Sequence, residues 1–484
     1  MTAPRTTCPL AQHALERPEA IALVERLADG QSRLCRYDQL HFQVEQRRHW
    51  LQQQGVKPGQ HLLLVTHDKA ELIRLLIASL RLGCVLIPIN PAFPAAQQLE
   101  LLKRCNADGV IDDSGNVTDC TLLPERCRRL DLNTLAKPPT TSITDQPPIE
   151  PIRIGNPQAP LSGVLTSGST ATPKLALHSY RNHAASAEGS RALIPLQPGD
   201  GWALALPLYH IGGQATVFRA LLAGACLIIP AADESLQQLL REPRLTHLSA
   251  VSTQLLRLQH ANFSFSDSAL RQLLVGGGVI PPALLTWLQQ QPVQSWISYG
   301  LTEMSSQVMT GPLCPSGRLA TLLPHCQLKL SAENEILVKG ESLFLGYYRD
   351  GQYHRPLDNQ GWFNTRDLGQ FDARQHLTIC GRLDNQFISG GENIQPEMIE
   401  QTLAAYPGIA ACFVVPVADP RYGQRPVAFI STLSSIDTVQ LESWLRQRLP
   451  GYLIPIRYLP LPAPTTALKT SRAELIRLAA KLNR

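Results

Sequence analysis

Apolar residues along this chain fall alternately into short continuous runs and into stretches with helical spacing. The runs HLLLV and CVLIPIN flank KAELIRLLIASLRLG, in which apolar residues recur at helical intervals. The same order returns from WALALPL through CLIIP to HLSAVS, and again from LRQLLVGGG to SWISYGLTE. Strands that alternate with helices in this way predict βαβ units with parallel strand pairing.

Other parts of the chain depart from this order. LAQHALERPEAIALV and YDQLHFQVEQRRHWLQQQG predict helices, and LQQLLREP a further one, whereas residues 115–160, rich in Pro, Thr and Asp, predict a loop or linker. After residue 320, short alternating strands such as QLKLS, EILVKG and HLTICG are expected. Beyond GRLDNQ, helices such as PEMIEQTLAAY mix with strands such as ACFVVPV, which predicts a small α+β unit.

These patterns predict the fold class and the domain organisation. A chain of 484 residues is too long for one hydrophobic core and is expected to form at least two domains. We predict an α/β protein whose large N-terminal domain, residues 1–381, has parallel-rich sheets flanked by helices and a small β-rich subdomain. A small α+β C-terminal domain, residues 382–484, is expected to be hinged to it near residues 381–385.

Composition narrows the classes of function. A hydrophobic content of 44% with 17% charged residues is typical of a globular protein, and the net charge of +5 suits anionic small molecules rather than nucleic acid. The N-terminus lacks the apolar core of a secretory signal, and the longest apolar runs are too short to span a bilayer. The 11 cysteines are dispersed without zinc-site spacing, which favours reduced thiols and a cytoplasmic location. The oligomeric state stays open, with a homo-oligomer as one option.

The segment TSGSTATPK concentrates hydroxyls, a glycine and a lysine between two strand-like runs. Glycine lets the backbone approach an anion, hydroxyls and N–H groups can bind phosphate oxygens, and lysine adds a positive charge. The segment is not a Walker A sequence, and an ordinary surface turn is the alternative. We interpret it as a grip for a nucleotide triphosphate. Its candidate ligands are Thr166, Ser167, Gly168, Ser169, Thr170 and Lys174.

Five motifs, in order along the chain, resemble those of the acyl-adenylate-forming enzymes. They are TSGSTATPK, YGLTE, GWFNTRDLG, GRLDNQFISGGENIQPEMIE and the late lysine of LKTSRAEL. This superfamily includes acyl- and aryl-CoA ligases, adenylation domains and luciferases. The resemblance covers most of the chain and implies an enzyme that uses ATP and Mg²⁺ to join a carboxylate to AMP. It further implies a thiol acceptor such as CoA, and a mobile C-terminal domain that serves both half-reactions.

The resemblance implies catalytic and magnesium-binding roles for several polar residues. Lys469 would enter the active site and stabilise the transition state of adenylation more than the ground state. The other catalytic candidates are Thr302, Glu303 and His210, and the magnesium candidates are Glu303 and Thr170, whose hard oxygens suit Mg²⁺. For Lys469 and Glu303, the alternative is a solvated side chain at the protein surface.

A second group is implied to bind nucleotide or CoA. Asp367, at a predicted strand end, would accept the ribose hydroxyls, and Tyr299 would offer a ring face to adenine, with a packed tyrosine as the alternative. The ATP and AMP candidates beyond the phosphate segment are Gly276, Gly277, Gly278, Tyr299, Gly300, Asp367 and Arg382. Asp384 resembles the hinge position, and Gly390 and Gly391 would line the CoA tunnel, with glycine turns and surface ion pairs as the alternatives.

Three positions depart from the family pattern. Ala171, Arg366 and Leu468 stand where glycine is usual. A methyl group at Ala171 restricts positive φ, so we expect a stiffer or slightly displaced phosphate loop. We expect retained activity, because every donor and Lys174 remain.

The segments PLYHIGGQATVFRALLAG, VSTQLLRL and VGGGVIPPALL resemble one branch of the superfamily, the 2-succinylbenzoate–CoA ligases of menaquinone biosynthesis. That substrate carries a second carboxylate, which Arg219 could bind, unless Arg219 snorkels to the helix surface. Gly213 and Gln214 are further acyl-pocket candidates in a loop with His210, which is a gating or substrate contact or a packed histidine. Open alternatives are another aryl- or acyl-CoA ligase, a stand-alone enzyme that charges a carrier protein, and a silent nucleotide-binding regulator.

Overall fold

The structure, a computed structural model, describes residues 7–113, 123–135, 149–166, 174–278, 280–349, 351–432, 436–462 and 472–482. Its helices are α1 (Pro9–Glu16), α2 (Tyr37–Gln53), α3 (Lys69–Leu82), α4 (Ala95–Arg104), α5 (Tyr180–Leu193), α6 (Ile211–Ala223), α7 (Leu236–Leu239), α8 (Ser252–His260), α9 (Pro282–Gln289), α10 (Pro396–Ala404), α11 (Thr438–Arg446) and α12 (Arg472–Leu482).

Its strands are β1 (Ile21–Arg26), β2 (Ser32–Arg36), β3 (His61–Val65), β4 (Val85–Ile89), β5 (Gly109–Asp112), β6 (Arg128–Leu130), β7 (Pro160–Thr166), β8 (Lys174–Ser179), β9 (Gly201–Ala203), β10 (Cys226–Ile229), β11 (His247–Ala250), β12 (Gln272–Val275), β13 (Gln294–Leu301), β14 (Ser306–Pro312), β15 (Thr321–Leu322), β16 (Cys326–Leu330), β17 (Glu335–Gly340), β18 (Gly346–Arg349), β19 (Gln352–His354), β20 (Phe363–Phe371), β21 (Leu377–Arg382), β22 (Phe387–Ser389), β23 (Glu392–Ile394), β24 (Ile409–Asp419), β25 (Gly423–Thr432) and β26 (Tyr458–Pro460).

Two large sheets carry the parallel strands. Within the described residues, one sheet has the order β15-β14-β13-β12-β11-β9-β10-β1-β2, and the other has the order β19-β18-β8-β7-β4-β3-β5-β6. The strands from β13 to β1 and from β7 to β6 pair in parallel, and antiparallel strands flank both sets. The predicted βαβ units and fold class are confirmed.

The run HLLLV shows why its strand is apolar throughout. In β3, Leu62 and Leu64 face one apolar cluster and Leu63 and Val65 face another. Successive side chains of a strand point to opposite faces, so a strand covered on both faces is apolar at every position.

One apolar cluster joins the two sheets through helices. It contains Leu64 of the second sheet, Leu227 of the first, Ile73 of α3 and Phe218 of α6. Each fully buried side chain of this size contributes about 2 kcal/mol by leaving water. The shared core therefore fixes the two sheets relative to each other.

The remaining described strands form smaller sheets. Strands β16, β17, β20 and β21 make an antiparallel sheet, which is the predicted β-rich part. Farther along, α10 and α12 pack on the sheet of β24, β25 and β26. Two apolar clusters there contain only residues from Phe387 onward, as expected for the α+β unit.

Three local predictions are wrong. The helix predicted through IALV ends at Glu16, because Pro18 cannot continue it, and β1 follows. Leu23 and Val24 of β1 face different apolar clusters, so this strand too is buried on both faces. Inside the predicted loop of residues 115–160, β6 pairs with β5. The helix predicted in LQQLLREP is only the short α7.

Candidate functional site

Glu303 lies where β13 ends and the chain turns back into β14. Thr302–Met304 form a 3-10 turn, and the Phe344 N–H donates to the Glu303 carbonyl oxygen at 2.7 Å. The Tyr347 hydroxyl donates to Oε1 of the carboxylate at 2.5 Å. Burial, together with the charge of Glu303, raises the pKa of Tyr347, which therefore stays a donor. The half-buried carboxylate is thus oriented through Oε1, and no described residue hydrogen-bonds to Oε2.

Asp367 meets two other predicted site residues. The Tyr299 hydroxyl donates to its Oδ2 at 2.7 Å, and Nη1 of Arg382 donates to its Oδ1 at 2.7 Å. Burial raises the pKa of Asp367, while Arg382 and Tyr299 oppose that shift. The prediction of a strand end is wrong, because Asp367 lies inside β20, beside a shift in strand register after Leu368. Tyr299 of β13, Asp367 of β20 and Arg382 of β21 thus form one polar cluster.

Three glycines lie at the same edge of the first sheet as Tyr299. Gly276, Gly277 and Gly278 follow β12, whose neighbour β13 runs parallel to it. Gly277 has φ of 84°, and a Cβ there would lie 3.2 Å from Val251 Cγ1, whereas a Cβ at Gly278 would meet no atom of the described residues within 4 Å. The backbone is therefore open at Gly278. Gly300 differs, because the Ser306 carbonyl oxygen packs where its Cβ would be.

Arg219 is buried in α6, so the alternative of a snorkelling arginine is wrong. Its side chain Nη2 donates to Gln307 Oε1 at 2.8 Å and to Ser306 Oγ at 3.2 Å. The guanidinium lies 5.2 Å from the centre of the Trp202 ring, and only 4% of Arg219 is exposed. Burial lowers its pKa to about 10. Among the described residues, no carboxylate pairs with this cation.

The predicted loop around Gly213 and Gln214 is the first turn of α6, which begins at Ile211. His210 is the exposed residue that precedes the helix, so it is not a packed histidine. A Cβ at Gly213 would collide with the Pro207 carbonyl group. Gln214 is fully buried, accepts from Ser162 Oγ at 2.9 Å and donates to the Leu208 carbonyl oxygen at 3.1 Å. Gln214 therefore anchors α6 to β7.

Asp384 lies in the 3-10 turn Leu383–Asn385 and accepts from two arginines. Arg366 Nε is 3.1 Å from its Oδ1, and Arg382 Nη2 is 3.4 Å from its Oδ2. Arg366 has φ of 65°, a left-handed conformation that glycine adopts most readily. This geometry explains why glycine suits the position. The Arg366 N–H also donates to Glu335 Oε1 at 2.9 Å.

Gly390 and Gly391 form the tip of the β22–β23 hairpin. Their φ values, 58° and 92°, are both positive, as in a type I′ turn. The Gly390 N–H donates to the Tyr422 carbonyl oxygen at 2.9 Å. The geometry is that of the glycine turn named as the alternative.

Only the two ends of the predicted phosphate segment are described. Thr166 ends β7, Lys174 begins β8, and the two residues are antiparallel partners. Lys174 Nζ lies 5.2 Å from the centre of the Tyr347 ring, whose hydroxyl contacts Glu303. The predicted residues that lie outside the described part are Ser167, Gly168, Ser169, Thr170 and Lys469, together with the departures Ala171 and Leu468.

Comparison with known families decides the assignment. Residues 10–348 match the family described as AMP-binding enzyme, and residues 398–467 match the AMP-binding enzyme C-terminal domain. The chain belongs to the AMP-binding enzyme family. This match confirms the predicted resemblance and the prediction of an enzyme.

Individual relatives of this AMP-binding enzyme agree with the match. The 2-succinylbenzoate–CoA ligase of Escherichia coli (strain K12) is 34% identical over 446 residues, which cover 92% of this chain and 92% of that protein. A solved arginine-to-lysine variant of E. coli MenE with bound OSB-AMS has a TM-score of 0.85 and 32% identity, covering 99% of this chain and 100% of that chain. MenE from Bacillus subtilis, in complex with ATP and magnesium ion, has a TM-score of 0.81 and 25% identity over 97% of this chain and 99% of its own.

The residues of this AMP-binding enzyme suit a nucleotide and a magnesium ion. Mg²⁺ takes hard oxygen ligands and keeps several waters, so one carboxylate and a hydroxyl are enough. Glu303 Oε2 and the Thr302 hydroxyl offer that donor set, since no described residue hydrogen-bonds to either. The open backbone at Gly278 could lie along a base. In the described part of the chain, no helix is both long and apolar enough to cross a membrane.

Tyr347, which contacts both Glu303 and Lys174, was not predicted from the sequence. The available signal is weak, because adjacent tyrosines in GYYR follow a glycine in a short strand that looks like any other. Gln307, the partner of Arg219, was not predicted either, since a glutamine in a strand carries no chemical signature.

Proposed function

We propose that this enzyme makes 2-succinylbenzoyl-CoA from 2-succinylbenzoate, ATP and CoA in menaquinone biosynthesis, releasing AMP and pyrophosphate. The observation that carries the proposal is Arg219, a buried cation with no described carboxylate partner. Burying an unpaired charge is costly, so such a group favours an anionic ligand. A ring carboxylate would supply the missing charge, and the similar E. coli ligase acts on an acid of this kind.

The proposed reaction has two steps. In the first, a carboxylate oxygen of the succinyl side chain bonds to the α-phosphorus of ATP, and the bond from that phosphorus to the bridging oxygen of pyrophosphate breaks. In the second, the CoA thiol loses its proton and its sulfur bonds to the acyl carbon. The bond from that carbon to the AMP oxygen then breaks, and AMP leaves.

The residues proposed to bind the metal and the nucleotide have separate roles. Glu303, together with the hydroxyl of Thr170 or Thr302, would hold Mg²⁺, which supplies charge that neutralises the phosphates during attack. Asp367 binds the ribose hydroxyls, with its carboxylate fixed by Tyr299 and Arg382. Lys174 lies beside the ring of Tyr347, whose hydroxyl contacts Glu303, and binds the phosphates beside the metal. The rest of the proposed nucleotide and phosphate set is Thr166, Ser167, Gly168, Ser169, Thr170, Gly276, Gly277, Gly278 and Gly300.

The proposal also assigns the acyl and CoA ends of the site. Arg219 binds the ring carboxylate, and His210, exposed in front of α6, gates or contacts the substrate. Gly213 and Gln214 shape the acyl pocket by fixing the start of α6. Gly390 and Gly391 line the CoA path after domain rotation.

We propose a division into residues 1–381 and residues 382–484, with rotation at Asp384. The first body carries the nucleotide and acyl groups, and the second brings Lys469 for adenylation and the hairpin of Gly390 for thioester formation. The reaction is assigned to the cytoplasm, because all ten cysteines in the described ranges are free thiols.

Pyrophosphate release over a panel of aromatic and aliphatic acids, with and without CoA, tests the substrate. We expect 2-succinylbenzoate to be used best, with a CoA-dependent thioester product. Benzoylpropionate, which lacks the ring carboxylate, is the matched control. If another acid gives a CoA thioester while 2-succinylbenzoate does not, the narrow assignment fails and another aryl-CoA ligase replaces it. Acyl transfer only to a carrier protein would favour the stand-alone adenylating enzyme.

Lys469→Ala tests the division of labour between the two bodies. We expect adenylation to be lost and thioester formation from supplied acyl-adenylate to be spared. Equal loss of both half-reactions would contradict the rotation scheme.

A further inference from the structure

The turn that follows Glu303 has a backbone conformation that is rare outside glycine. Ser305 has φ of 52° and Ser306 has φ of 113°. Non-glycine residues at positive φ persist where the surrounding structure holds them. Ser305 is the left-handed cap of the 3-10 turn, and its N–H donates to the Thr302 carbonyl oxygen at 3.0 Å. The position of Glu303 therefore depends on what holds Ser305.

Three elements hold Ser305, which is fully buried. Its hydroxyl donates to the Ser342 carbonyl oxygen at 2.9 Å and lies 3.0 Å from His178 Nδ1, on β8. Its carbonyl oxygen accepts from Ser186 Oγ, on α5, at 2.7 Å. These contacts tie the turn to β8, to α5 and to the segment around Ser342.

The hydrogen bonds also fix the tautomer of His178. The Ser305 hydroxyl has one hydrogen, which it gives to the Ser342 carbonyl oxygen, so His178 Nδ1 must carry a proton and donate. Burial lowers the pKa of His178 to about 3, so the ring is neutral. The contact therefore holds the turn without adding a charge beside the carboxylate.

The same turn is also held from the acyl side. Arg219 donates to Ser306 Oγ and to Gln307 Oε1, the two residues that follow Ser305. Glu303 and Arg219 are thus connected through one short, strained stretch of backbone.

We propose that Ser305, held by His178 and Ser186, is a positioning residue that aims the Glu303 carboxylate at the magnesium ion. The proposal rests on the proposed function, in which Glu303 is a metal ligand. It predicts that loosening the turn weakens use of Mg²⁺ before it weakens anything else.

The test measures the Mg²⁺ concentration that gives half-maximal pyrophosphate release at saturating ATP and 2-succinylbenzoate. Ser305→Gly keeps the left-handed backbone accessible and removes the hydroxyl, and we expect a rise of roughly 10-fold or more, as for other partners that orient a metal ligand. Saturating Mg²⁺ should restore most of kcat. His178→Leu should act similarly, while His178→Asn, which keeps a donor near Nδ1, should recover part of the effect.

A matched pair of serines on α5 distinguishes a specific effect on the turn from a general folding defect. Ser186→Ala removes the bond to the Ser305 carbonyl oxygen and should raise the Mg²⁺ requirement. Ser190→Ala, one turn farther along, removes an equally buried hydroxyl that has no hydrogen-bond partner among the described residues, and should leave the requirement unchanged.

Glu303→Gln separates the two levels of the proposal. If this variant leaves the Mg²⁺ dependence unchanged, the metal role of Glu303 in the proposed function is wrong. If Glu303→Gln changes the dependence but Ser305→Gly and Ser186→Ala do not, or if they lower the rate equally at all Mg²⁺ concentrations, the positioning role is overturned.

Discussion

This enzyme has two polar regions that differ in charge. One, the charged edge, consists of Glu303, Asp367 and Arg382. The other, the neutral cluster, consists of Ser162, His178, His183, Gln214 and Ser305. The charged edge has carboxylates with remaining acceptor capacity, whereas every member of the neutral cluster is almost completely buried.

The neutral cluster is built from uncharged hydrogen bonds. Ser162 Oγ donates to Gln214 Oε1 at 2.9 Å, so His183 Nε2, 2.8 Å away, must be the donor to Ser162. The His183 ring stacks on Phe218 with its centroid 4.2 Å away. Burial lowers the pKa of His183 well below its usual range.

The difference shows how this protein separates chemistry from support. Charges are stabilising where a charged ligand or water can reach them, while a closed interior favours neutral groups whose hydrogen bonds are satisfied. Arg219 is the exception, a cation inside the protein at the border of the two regions. Four predictions test this contrast.

The largest effect is expected from Asp367→Asn in the charged edge. It removes a charged acceptor and leaves Arg382 with Asp384 as its remaining carboxylate partner, so the KM for ATP should rise roughly 100-fold, from the loss of about 2–3 kcal/mol. Steady-state kinetics measure this rise. Asp372→Asn, past the end of β20, is the matched control. An unchanged KM with lowered stability would assign Asp367 to the scaffold instead.

Arg219→Lys should raise the KM for 2-succinylbenzoate roughly 10-fold, because lysine lacks the fork that reaches two acceptors and a carboxylate at once. The KM for ATP should stay unchanged. Burial also lowers the pKa of Arg219 to about 10, and the same burial would bring a lysine closer to neutrality. The variant's KM for the acid should therefore climb as pH rises from 7 to 9, unlike that of the natural enzyme. A flat profile would contradict this expectation.

His183→Gln should change the pH dependence of stability. In the folded protein, burial lowers the pKa of His183. As pH falls below about 6.5, the unfolded chain therefore binds a proton before the folded protein does, and the free energy of unfolding falls by up to about 1.4 kcal/mol per pH unit. The variant should lose less stability than the natural protein between pH 6.5 and 5.5, as measured by urea unfolding. His49→Gln, on the exposed surface of α2, is the control. If the free energy of unfolding falls equally with pH in all three proteins, His183 binds a proton in the folded protein as readily as in the unfolded chain, which contradicts the prediction.

Arg366→Gly is expected to have the smallest effect. Glycine relieves the strain of the left-handed backbone at this position. It also raises the conformational entropy of the unfolded chain and removes the ion pair with Asp384, so the net change in the free energy of unfolding should stay within about 1 kcal/mol. Thermal unfolding measures the change. A large loss of stability would mean that the Arg366–Asp384 pair stabilises more than a surface contact.

Sequence alone predicts the parts of this molecule that repeat a pattern or carry a chemical signature. The alternation around HLLLV predicts β3, and YGLTE singles out Glu303. It does not predict that Tyr299 contacts Asp367, 68 residues away, because the contact depends on how β13 meets β20. β1 was not predicted because the short apolar run IALV fits the period of a helix as well as that of a strand. Only the burial of both faces in the folded protein identifies it as a strand.

The neutral cluster is the part that sequence reasoning passes over. His178 and His183 flank the start of α5, but a histidine, serine or glutamine among apolar residues looks the same whether it is packed or exposed. Only the hydrogen bonds, formed across β7, β8, α5 and α6, together with the contact between the His178 and His183 rings, reveal a connected group.

The pairing of β1 with β10 has a consequence for synthesis of the chain. About 200 residues separate Arg26 from Cys226, so at ordinary translation rates the partner of β1 emerges roughly 10 to 40 s later. During that interval β2 covers one side of β1, while the other side exposes unpaired N–H and carbonyl groups beside Leu23 and Val24. Until β10 emerges, this open edge is a template on which another strand can pair.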